Sequence, residues 1–132
     1  MLRMTGLDGE AVDVSERAVD ALAAKFEARV LRRGQAGYEE ATTIWNGMVT
    51  SRPALVVQPV TVGEVQQAIA FARANGVLLS IKGGGHNVAG TSLADGGLTV
   101  DMSRMRWVDV DADRASARVG PGCLLGDVDR AT

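Results

Sequence analysis

The sequence has few of the residues that build disulfides and metal sites, with one cysteine and one histidine among 132 residues. Cys123 has no partner for an internal disulfide, and one cysteine with one histidine cannot supply the four ligands of a structural zinc site. We therefore expect no metal. The longest apolar runs have only four or five residues, well short of a membrane span, and the start lacks the apolar core of a secretion signal. These absences predict a cytoplasmic protein without membrane contact.

An excess of positive charge is also absent. The chain has 14 Lys and Arg against 16 Asp and Glu, for a net charge of −2, so it has no basic field that would attract nucleic acid. Hydrophobic residues make up 46% and charged residues 23%, which is ordinary usage for a globular protein. The length is that of one domain.

Glycine is plentiful, and three glycines are consecutive in the stretch from Leu79 to Ser92, LSIKGGGHNVAGTS. The apolar lead-in predicts a buried strand. Without Cβ atoms at three successive positions, backbone N–H groups can converge on one point, and such a concavity attracts phosphate or another anion. Lys82 adds a positive charge before the glycines. His86, a potential nucleophile near neutral pH, stands directly after them.

A plainer interpretation of the same stretch remains open. Glycine is the usual turn residue, so a triple glycine after a strand is also typical of a tight loop, and a lone histidine is more often a surface residue than a reactive one. Two familiar nucleotide motifs are excluded. The P-loop motif needs a lysine after its last glycine, whereas Lys82 precedes the first, and GGGHNVAG does not open a helix as a dinucleotide fingerprint would.

The N-terminal third predicts one long helix. Residues 1 to 12 have no periodic pattern, and we expect a loose arm or an edge segment. Asp13 stands where an N-cap would, with Glu16 three residues later, and Gly34 is the predicted end of a helix of roughly 16 to 19 residues. Its apolar stripe repeats every four residues at Ala18, Leu22, Phe26 and Val30. Residues 37 to 53 have no clear period and predict a long surface loop anchored by Trp45.

A βαβ unit follows. ALVVQ predicts a buried strand, Thr61 and Glu64 form a capping box, Asn75-Gly76 ends a helix of about 14 residues, and VLLSI predicts the next strand. Such units make right-handed crossovers between parallel strands, and ligands gather beyond the carboxyl ends of those strands. Residues 82 to 87 lie at such an end.

After Ser92 the pattern favours antiparallel strands. LTVDM predicts one strand, and the runs 107 to 110 and 115 to 119 predict a hairpin joined by DADR. CLLGDVDRAT begins a helix with Leu124, Leu125 and Val128 on one side, and because the chain ends at Thr132 without a stop signal, we expect a fragment. The predicted fold class is α+β (α/β), with an N-terminal helix, a βαβ unit with parallel strands and then an antiparallel meander.

Four segments together resemble a known family. In order, SRPALVVQPVTVGEVQQAIAFAR, VLLSIKGGGHNVAG, GGLTVDMSRMRWVDVD and ARVGPGCLLGDVDRAT closely resemble the first part of the flavin domain in FAD-linked oxidases of the vanillyl-alcohol oxidase and p-cresol methylhydroxylase type. The bacterial berberine-bridge-enzyme-like oxidoreductases are the most similar. The resemblance covers residues 38 to 132 as the first part of a PCMH-type FAD-binding domain, and it leaves residues 1 to 37 as an N-terminal arm and helix.

The resemblance implies that KGGGHN wraps the FAD pyrophosphate with backbone amides. It also implies that His86 bonds covalently to the 8-methyl group of the flavin and that the Ser92 hydroxyl lies near the phosphates. Asp101 and Ser103 match a strand end with an expected structural role, and we interpret Cys123 as a small buried hydrophobe. No catalytic residue is assigned in this chain. The expected cofactor-binding residues are Lys82, Gly83, Gly84, Gly85, His86, Asn87, Gly90 and Ser92.

The main hypothesis is the FAD-binding portion of a flavin-dependent oxidase or dehydrogenase acting on an unidentified small molecule. One alternative is a non-catalytic truncated module that folds and self-associates without turnover, and another is a phosphate-binding module for a different nucleotide. For the chain by itself we expect inactivity. We also expect homo-oligomers, because apolar surface meant for further strands would seek a partner.

Overall fold

The computed structural model describes all residues from Met1 to Thr132. It begins with a hairpin of two antiparallel strands, β1 (Leu2–Thr5) and β2 (Ala11–Val14). Residues 1 to 12, predicted as a loose arm or an edge segment, are therefore mostly strand. Met4 and Val14 are buried and attach the hairpin to the core, but these strands are too short to give the sequence a recognisable period.

The first helix is shorter than predicted. Helix α1 (Glu16–Ala24) has nine residues, and its N-cap is Ser15 rather than Asp13, with the Ser15 hydroxyl accepting a hydrogen bond from Ala18 N at 3.2 Å. The helix ends well before Gly34 because Glu27 and Ala28 take positive φ angles of 47° and 65°, which no α-helix allows. Phe26 is buried all the same. The apolar residues thus continue at four-residue spacing beyond the end of the helix, through a non-helical turn and into strand β3 (Val30–Leu31).

The segment from residue 37 to 53 contains a short helix, α2 (Tyr38–Thr42). Its anchor is Tyr38, which is fully buried and donates a hydrogen bond from its hydroxyl to the Pro53 carbonyl at 2.6 Å. The prediction that Trp45 anchors this segment is wrong, because 77% of that side chain is exposed.

The predicted βαβ unit is confirmed. Strand β4 (Leu55–Val57), helix α3 (Val62–Asn75) and strand β5 (Leu79–Lys82) follow one another. The Thr61 hydroxyl caps α3 by accepting from Glu64 N at 3.2 Å, and Gly76 ends the helix with a left-handed φ of 63°. Ala68 and Ala72 are buried on the side of α3 that packs on the core, whereas Ile69 is 45% exposed.

The strand that follows the three consecutive glycines is parallel to its neighbours, whereas the sequence predicted an antiparallel strand. Strand β6 (Leu98–Asp101) lies between β4 and β5 and is parallel to both, in a four-stranded sheet of order β3-β4-β6-β5 with β3 antiparallel at the edge. It does not open the meander, because residues 83 to 97 return the chain to the start of the sheet. All four residues of β6 are buried, as is typical of a central parallel strand.

The C-terminal part matches the predicted hairpin. Strands β7 (Val108–Asp111) and β8 (Ser116–Val119) pair antiparallel as a separate sheet, followed by helix α4 (Leu125–Ala131). Helix α4 buries no residue, so its predicted apolar face is left open. Cys123, interpreted as a small buried residue, is half-buried, and its thiol lies 3.3 Å from the Trp107 carbonyl oxygen. The mixed α and β class is as predicted.

One apolar cluster joins these elements. Its 14 buried residues come from the first hairpin, α1, the central sheet, α3 and the turn after β6. Residues before position 38 therefore share a core with the sheet. None of the helices has the length and apolar composition that crossing a bilayer requires.

Candidate functional site

The carboxyl ends of β4, β5 and β6 meet at one edge of the central sheet, and the glycine-rich stretch leaves the sheet there. The residues at this edge are Gln58 after β4, Lys82 at the end of β5 and Asp101 at the end of β6. Gln58 Nε2 donates to Asp101 Oδ2 at 2.8 Å. The edge is the one at which ligands gather in parallel sheets. We use the name glycine loop for residues 83 to 91.

The glycine loop has a run of unused backbone donors. None of the seven N–H groups from Gly83 to Ala89 donates a hydrogen bond within the chain, whereas Gly90 N donates to Asn87 O at 3.1 Å. Five of the seven residues are exposed, so their N–H groups bond water until another acceptor takes its place. The loop can therefore donate several hydrogen bonds to an acceptor-rich group outside the chain.

Packing as well as conformation requires glycine in this loop. Gly85 is buried and has φ +72°, and a Cβ there would lie 3.3 Å from Ile44 Cγ2. A Cβ on Gly84 would lie 3.0 Å from Leu124 Cδ2. The backbone of the loop thus lies close to Ile44 on one side and Leu124 on the other. A side chain at Gly84 or Gly85 would push these neighbours away.

His86 lies on the exposed surface of the loop. A Cβ on Gly84 would lie 3.3 Å from His86 Nδ1, and the Trp45 ring approaches the imidazole edge-on, with centroids 5.9 Å apart and planes at 83°. The imidazole contacts an aromatic ring and a glycine, and no carboxylate pairs with it. It is therefore accessible to a reactant placed over the loop.

Lys82 lies beneath the loop and not on its exposed side. Its ammonium is 3.4 Å from Asp101 Oδ1, with only 9% of the lysine side chain and 1% of the aspartate side chain exposed. A Cβ on Gly85 would lie 3.4 Å from Lys82 Cε. Asp101 also accepts from Ser103 N and Ser103 Oγ. The positive charge expected beside the glycines is therefore largely balanced by Asp101, as part of the support under the loop.

Asn87, Gly90 and Ser92 shape the second half of the stretch. Asn87 Oδ1 accepts from Thr91 N and Thr91 Oγ1, both at 3.2 Å, which closes the turn. Ser92 Oγ is the one buried side-chain nitrogen or oxygen without a hydrogen-bond partner. Since buried polar atoms are normally paired, this unpartnered hydroxyl is an exception within the fold.

Sequence reasoning missed the residues that hold the loop from the side. Trp45 N donates to Gly85 O at 2.9 Å, and Asn46 Nδ2 donates to Val88 O at 2.8 Å. Residues 44 to 46 thus contact the loop on both sides of His86. No periodic signal marks this segment, because its contacts with the loop join residues about 40 positions apart in the sequence.

A cavity of about 470 Å³ opens beside the loop, at the same edge of the sheet. The triple glycine and His86 do not line it. Three of its four cationic side chains pair with carboxylates, Arg29 with Glu64, Lys82 with Asp101 and Arg106 with Asp127. The fourth, Arg104, donates from Nε to Gln58 Oε1 at 3.0 Å. The run of free backbone N–H groups belongs to the glycine loop and not to this cavity.

A family model described as an FAD binding domain matches residues 53–132. The chain belongs to this FAD-binding domain family. The matched residues include the whole glycine loop, Ser92 and the three parallel strands, but not Trp45 or Asn46. The resemblance predicted from the four sequence segments is confirmed.

Two relatives of this FAD-binding domain are named as oxidases. The chain is 30% identical to (R)-6-hydroxynicotine oxidase of Paenarthrobacter nicotinovorans over 103 residues, which are 78% of this chain and 22% of that enzyme. It is 29% identical to chitooligosaccharide oxidase of Gibberella zeae over 120 residues, 89% of this chain and 24% of that enzyme. The chain thus spans about a quarter of the length of these relatives.

Solved structures of FAD-linked relatives have the same fold as this chain. BBE-like 1 of Physcomitrella patens matches with a TM-score of 0.75 at 34% identity, covering 82% of this chain and 24% of that chain. Xylooligosaccharide oxidase of Myceliophthora thermophila matches with a TM-score of 0.74 at 32% identity, covering 83% and 24%. The predicted fold is therefore the one these flavin domains share.

The glycine loop fits the diphosphate of FAD. A diphosphate is an anion that only accepts hydrogen bonds, and the loop presents seven free N–H donors with the unpartnered Ser92 hydroxyl nearby in sequence. Successive backbone N–H groups of this kind form anion-binding concavities. The donor set requires no side-chain charge, which agrees with the burial of Lys82 against Asp101.

Proposed function

We propose that this chain is the FAD-binding portion of a flavin-dependent oxidoreductase, in which the glycine loop binds the FAD diphosphate and His86 links covalently to the flavin. The run of free N–H donors from Gly83 to Ala89, beside an accessible imidazole, carries the proposal. The oxidase relatives support its redox part.

The residues of the loop have distinct tasks in this proposal. The backbone N–H groups stabilise the negative charge of the diphosphate by hydrogen bonding, and the Ser92 hydroxyl donates to a phosphate oxygen. Asn87 and Gly90 keep the turn closed. Lys82 and Asp101 keep the floor of the loop rigid, since a buried, hydrogen-bonded ion pair resists displacement. Bound FAD supplies two-electron redox chemistry that no side chain of this chain offers.

His86 provides the covalent link. The bond joins one imidazole nitrogen to the 8-methyl carbon of the flavin and replaces the N–H and one C–H bond. For the balance, two protons would leave and two electrons would be taken up by bound FAD, with dioxygen as the final oxidant. The imidazole must be neutral to attack.

The experiment is to express the protein with riboflavin supplied and to weigh it after denaturation. We expect the wild type to be yellow and heavier by one FAD less two hydrogens. His86→Ala should lose that mass and keep FAD that is released on denaturation. Arg114→Ala, in the exposed turn between β7 and β8, is the control and should behave as the wild type. A wild type without flavin would contradict the proposal.

The reaction class follows from the relatives' names, which pair one type of chemistry with different substrates. One is an oxidase of a hydroxynicotine, and others are oxidases of oligosaccharides. We propose only the shared part for this protein, the removal of a hydride from a small molecule. Competition of FAD with ATP and NAD tests the alternative of a module for another nucleotide, since that module would prefer one of the competitors.

A further inference from the structure

Residues 44 to 46 contact the glycine loop at three points. Ile44 Cγ2 lies against Gly85, Trp45 N donates to Gly85 O at 2.9 Å, and Asn46 Nδ2 donates to Val88 O at 2.8 Å. The two hydrogen bonds fall on either side of His86 in the chain. We call residues 44 to 46 the clamp. It fixes the backbone before and after His86 without using any of the seven free N–H groups.

The Trp45 side chain is out of place for a packing residue. With 77% of its surface exposed, it gains little from burial, and its defined aromatic contact is the edge-on approach to the His86 imidazole. Perpendicular aromatic pairs at this separation are a favoured geometry. The indole therefore limits the directions in which the imidazole can turn.

His86 needs such a restraint from outside its own loop. Three glycines precede it, and their wide conformational range would let the imidazole sample many positions. Bond formation with a single carbon of a bound group is fast only when the attacking nitrogen is held close to it. The clamp lies outside residues 53–132 matched by the family model, so that match assigns it no role.

We propose that Trp45 is a positioning residue for His86, with Asn46 holding the loop on the other side, and that the clamp determines the rate at which His86 forms its bond to the flavin. This inference rests on the proposed function. Because the hydrogen bonds of the clamp leave the loop donors free, FAD affinity should depend on it far less than the covalent rate does.

The experiment uses flavin-free protein mixed with FAD. Three variants, Trp45→Ala, Trp45→Phe and Asn46→Ala, are compared with Trp107→Phe, which changes the other tryptophan. The covalent rate comes from the mass after denaturation at successive times, and FAD affinity comes from fluorescence quenching before the bond forms. His86 is the only histidine, so its imidazole proton NMR signal identifies its surroundings without ambiguity.

We expect Trp45→Ala to slow covalent incorporation by about tenfold or more, with FAD affinity within about twofold of the wild type. The His86 signal should shift as the indole ring current disappears. Trp45→Phe should recover most of the rate, Asn46→Ala should be slowed, and Trp107→Phe should match the wild type.

Two results would overturn the positioning role. One is an unchanged covalent rate in Trp45→Ala, and the other is a parallel loss of rate and affinity, which marks a structural role only. A wild type that binds FAD without ever forming the bond overturns the covalent part of the proposed function instead. If the His86 signal of flavin-free Trp45→Ala does not shift, that result alone shows that the Trp45 ring does not contact the imidazole.

Discussion

Gly90 and Gly34 both have left-handed backbones, with φ angles of +74° and +85°. A Cβ on Gly90 would lie 2.5 Å from Val49 Cγ2, whereas a Cβ on Gly34 would meet nothing within 4 Å. The pair therefore separates two effects at the scale of the residue. Backbone strain is common to both, and close approach to a neighbouring segment occurs only at Gly90.

Gly90→Ala should destabilise the protein by about 3 kcal/mol, because strain and the displacement of Val49 add. Gly34→Ala should lose only about 1 kcal/mol, the strain alone. Chemical denaturation of both variants gives the two free energies of unfolding. Equal losses would show that Val49 does not close on the loop at Gly90.

Ser92→Ala should separate binding from folding. Its hydroxyl has no partner in the chain, so its removal should leave the free energy of unfolding unchanged or slightly higher, while FAD affinity falls by about fivefold to tenfold with the loss of one hydrogen bond. Ser80→Ala is the comparison, because Ser80 Oγ bonds Ser92 O and Thr99 Oγ1, both at 2.9 Å. That variant should lose about 1 to 2 kcal/mol of stability. A destabilised Ser92→Ala with intact affinity would refute the assignment.

Individual residues were predictable where the chemistry is local. The triple glycine and His86 follow one another in the sequence, so their contribution to one loop could be inferred directly. The burial of Lys82 could not, because Asp101 approaches it only once β6 lies beside β5. The role of Trp45 depends on the same kind of long-range contact.

At the scale of elements, one ion pair joins the start of α3 to the segment before β3. Arg29 donates two hydrogen bonds to the Glu64 carboxylate, at 2.7 and 2.9 Å, and a third to the Gln58 carbonyl at 2.6 Å. Only 14% and 15% of the two side chains are exposed. The Arg29 guanidinium, helped by the backbone N–H of Val60, lowers the pKa of Glu64 from 4.5 to about 2.

Glu64→Gln should remove a pH-dependent part of the stability. Because the folded-state pKa of Glu64 lies below its unfolded value, the stabilisation is complete above about pH 5 and disappears as the pH falls toward 2. We expect a loss of about 2 kcal/mol at neutral pH, after allowance for solvent screening, and a flatter profile below pH 5.

The measurement is the free energy of unfolding as a function of pH. Glu16→Gln is the control, because Glu16 pairs with Arg32 at 2.8 Å but is 47% exposed, and exposed pairs contribute little. Identical slopes for the wild type and Glu64→Gln below pH 5 would contradict the account.

Two errors about elements have a common cause. The end of α1 and the direction of β6 both depend on where the chain packs. Phe26 follows the apolar spacing of the helix although it lies beyond the end of α1. The pattern of LTVDM is equally consistent with a parallel and an antiparallel strand. The βαβ unit was predicted because its caps, Thr61 and Gly76, are local signals.

At the scale of the whole molecule, apolar side chains surround the glycine loop on the outside. Trp45, Met48, Val88 and Leu124 are exposed by 77%, 89%, 72% and 41%. Val88 belongs to the loop, Leu124 lies against Gly84, and Met48 N donates to Asn46 Oδ1 in the segment that contacts the loop. Exposed apolar groups around a functional loop are typical of a surface that another body covers.

We propose that the chain by itself self-associates through this surface. Light scattering coupled to size exclusion should give a mass of at least a dimer, and Met48→Glu with Val88→Glu should return the monomer. Val60→Glu with Val62→Glu, at exposed apolar positions near the start of α3, is the control and should stay associated. A monomeric wild type at all concentrations would refute this proposal without touching the proposed cofactor.

The most direct test of the account is which part of FAD the chain recognises. His86→Ala protein prepared without flavin, in which FAD cannot bond to the imidazole, is titrated with FAD, and ADP or riboflavin is then added as a competitor. If the donors of the glycine loop bind the diphosphate as proposed, ADP should displace FAD, and riboflavin, which has no phosphate, should not. Displacement by riboflavin but not by ADP would contradict the account, since recognition would then lie with the flavin ring and not with the loop.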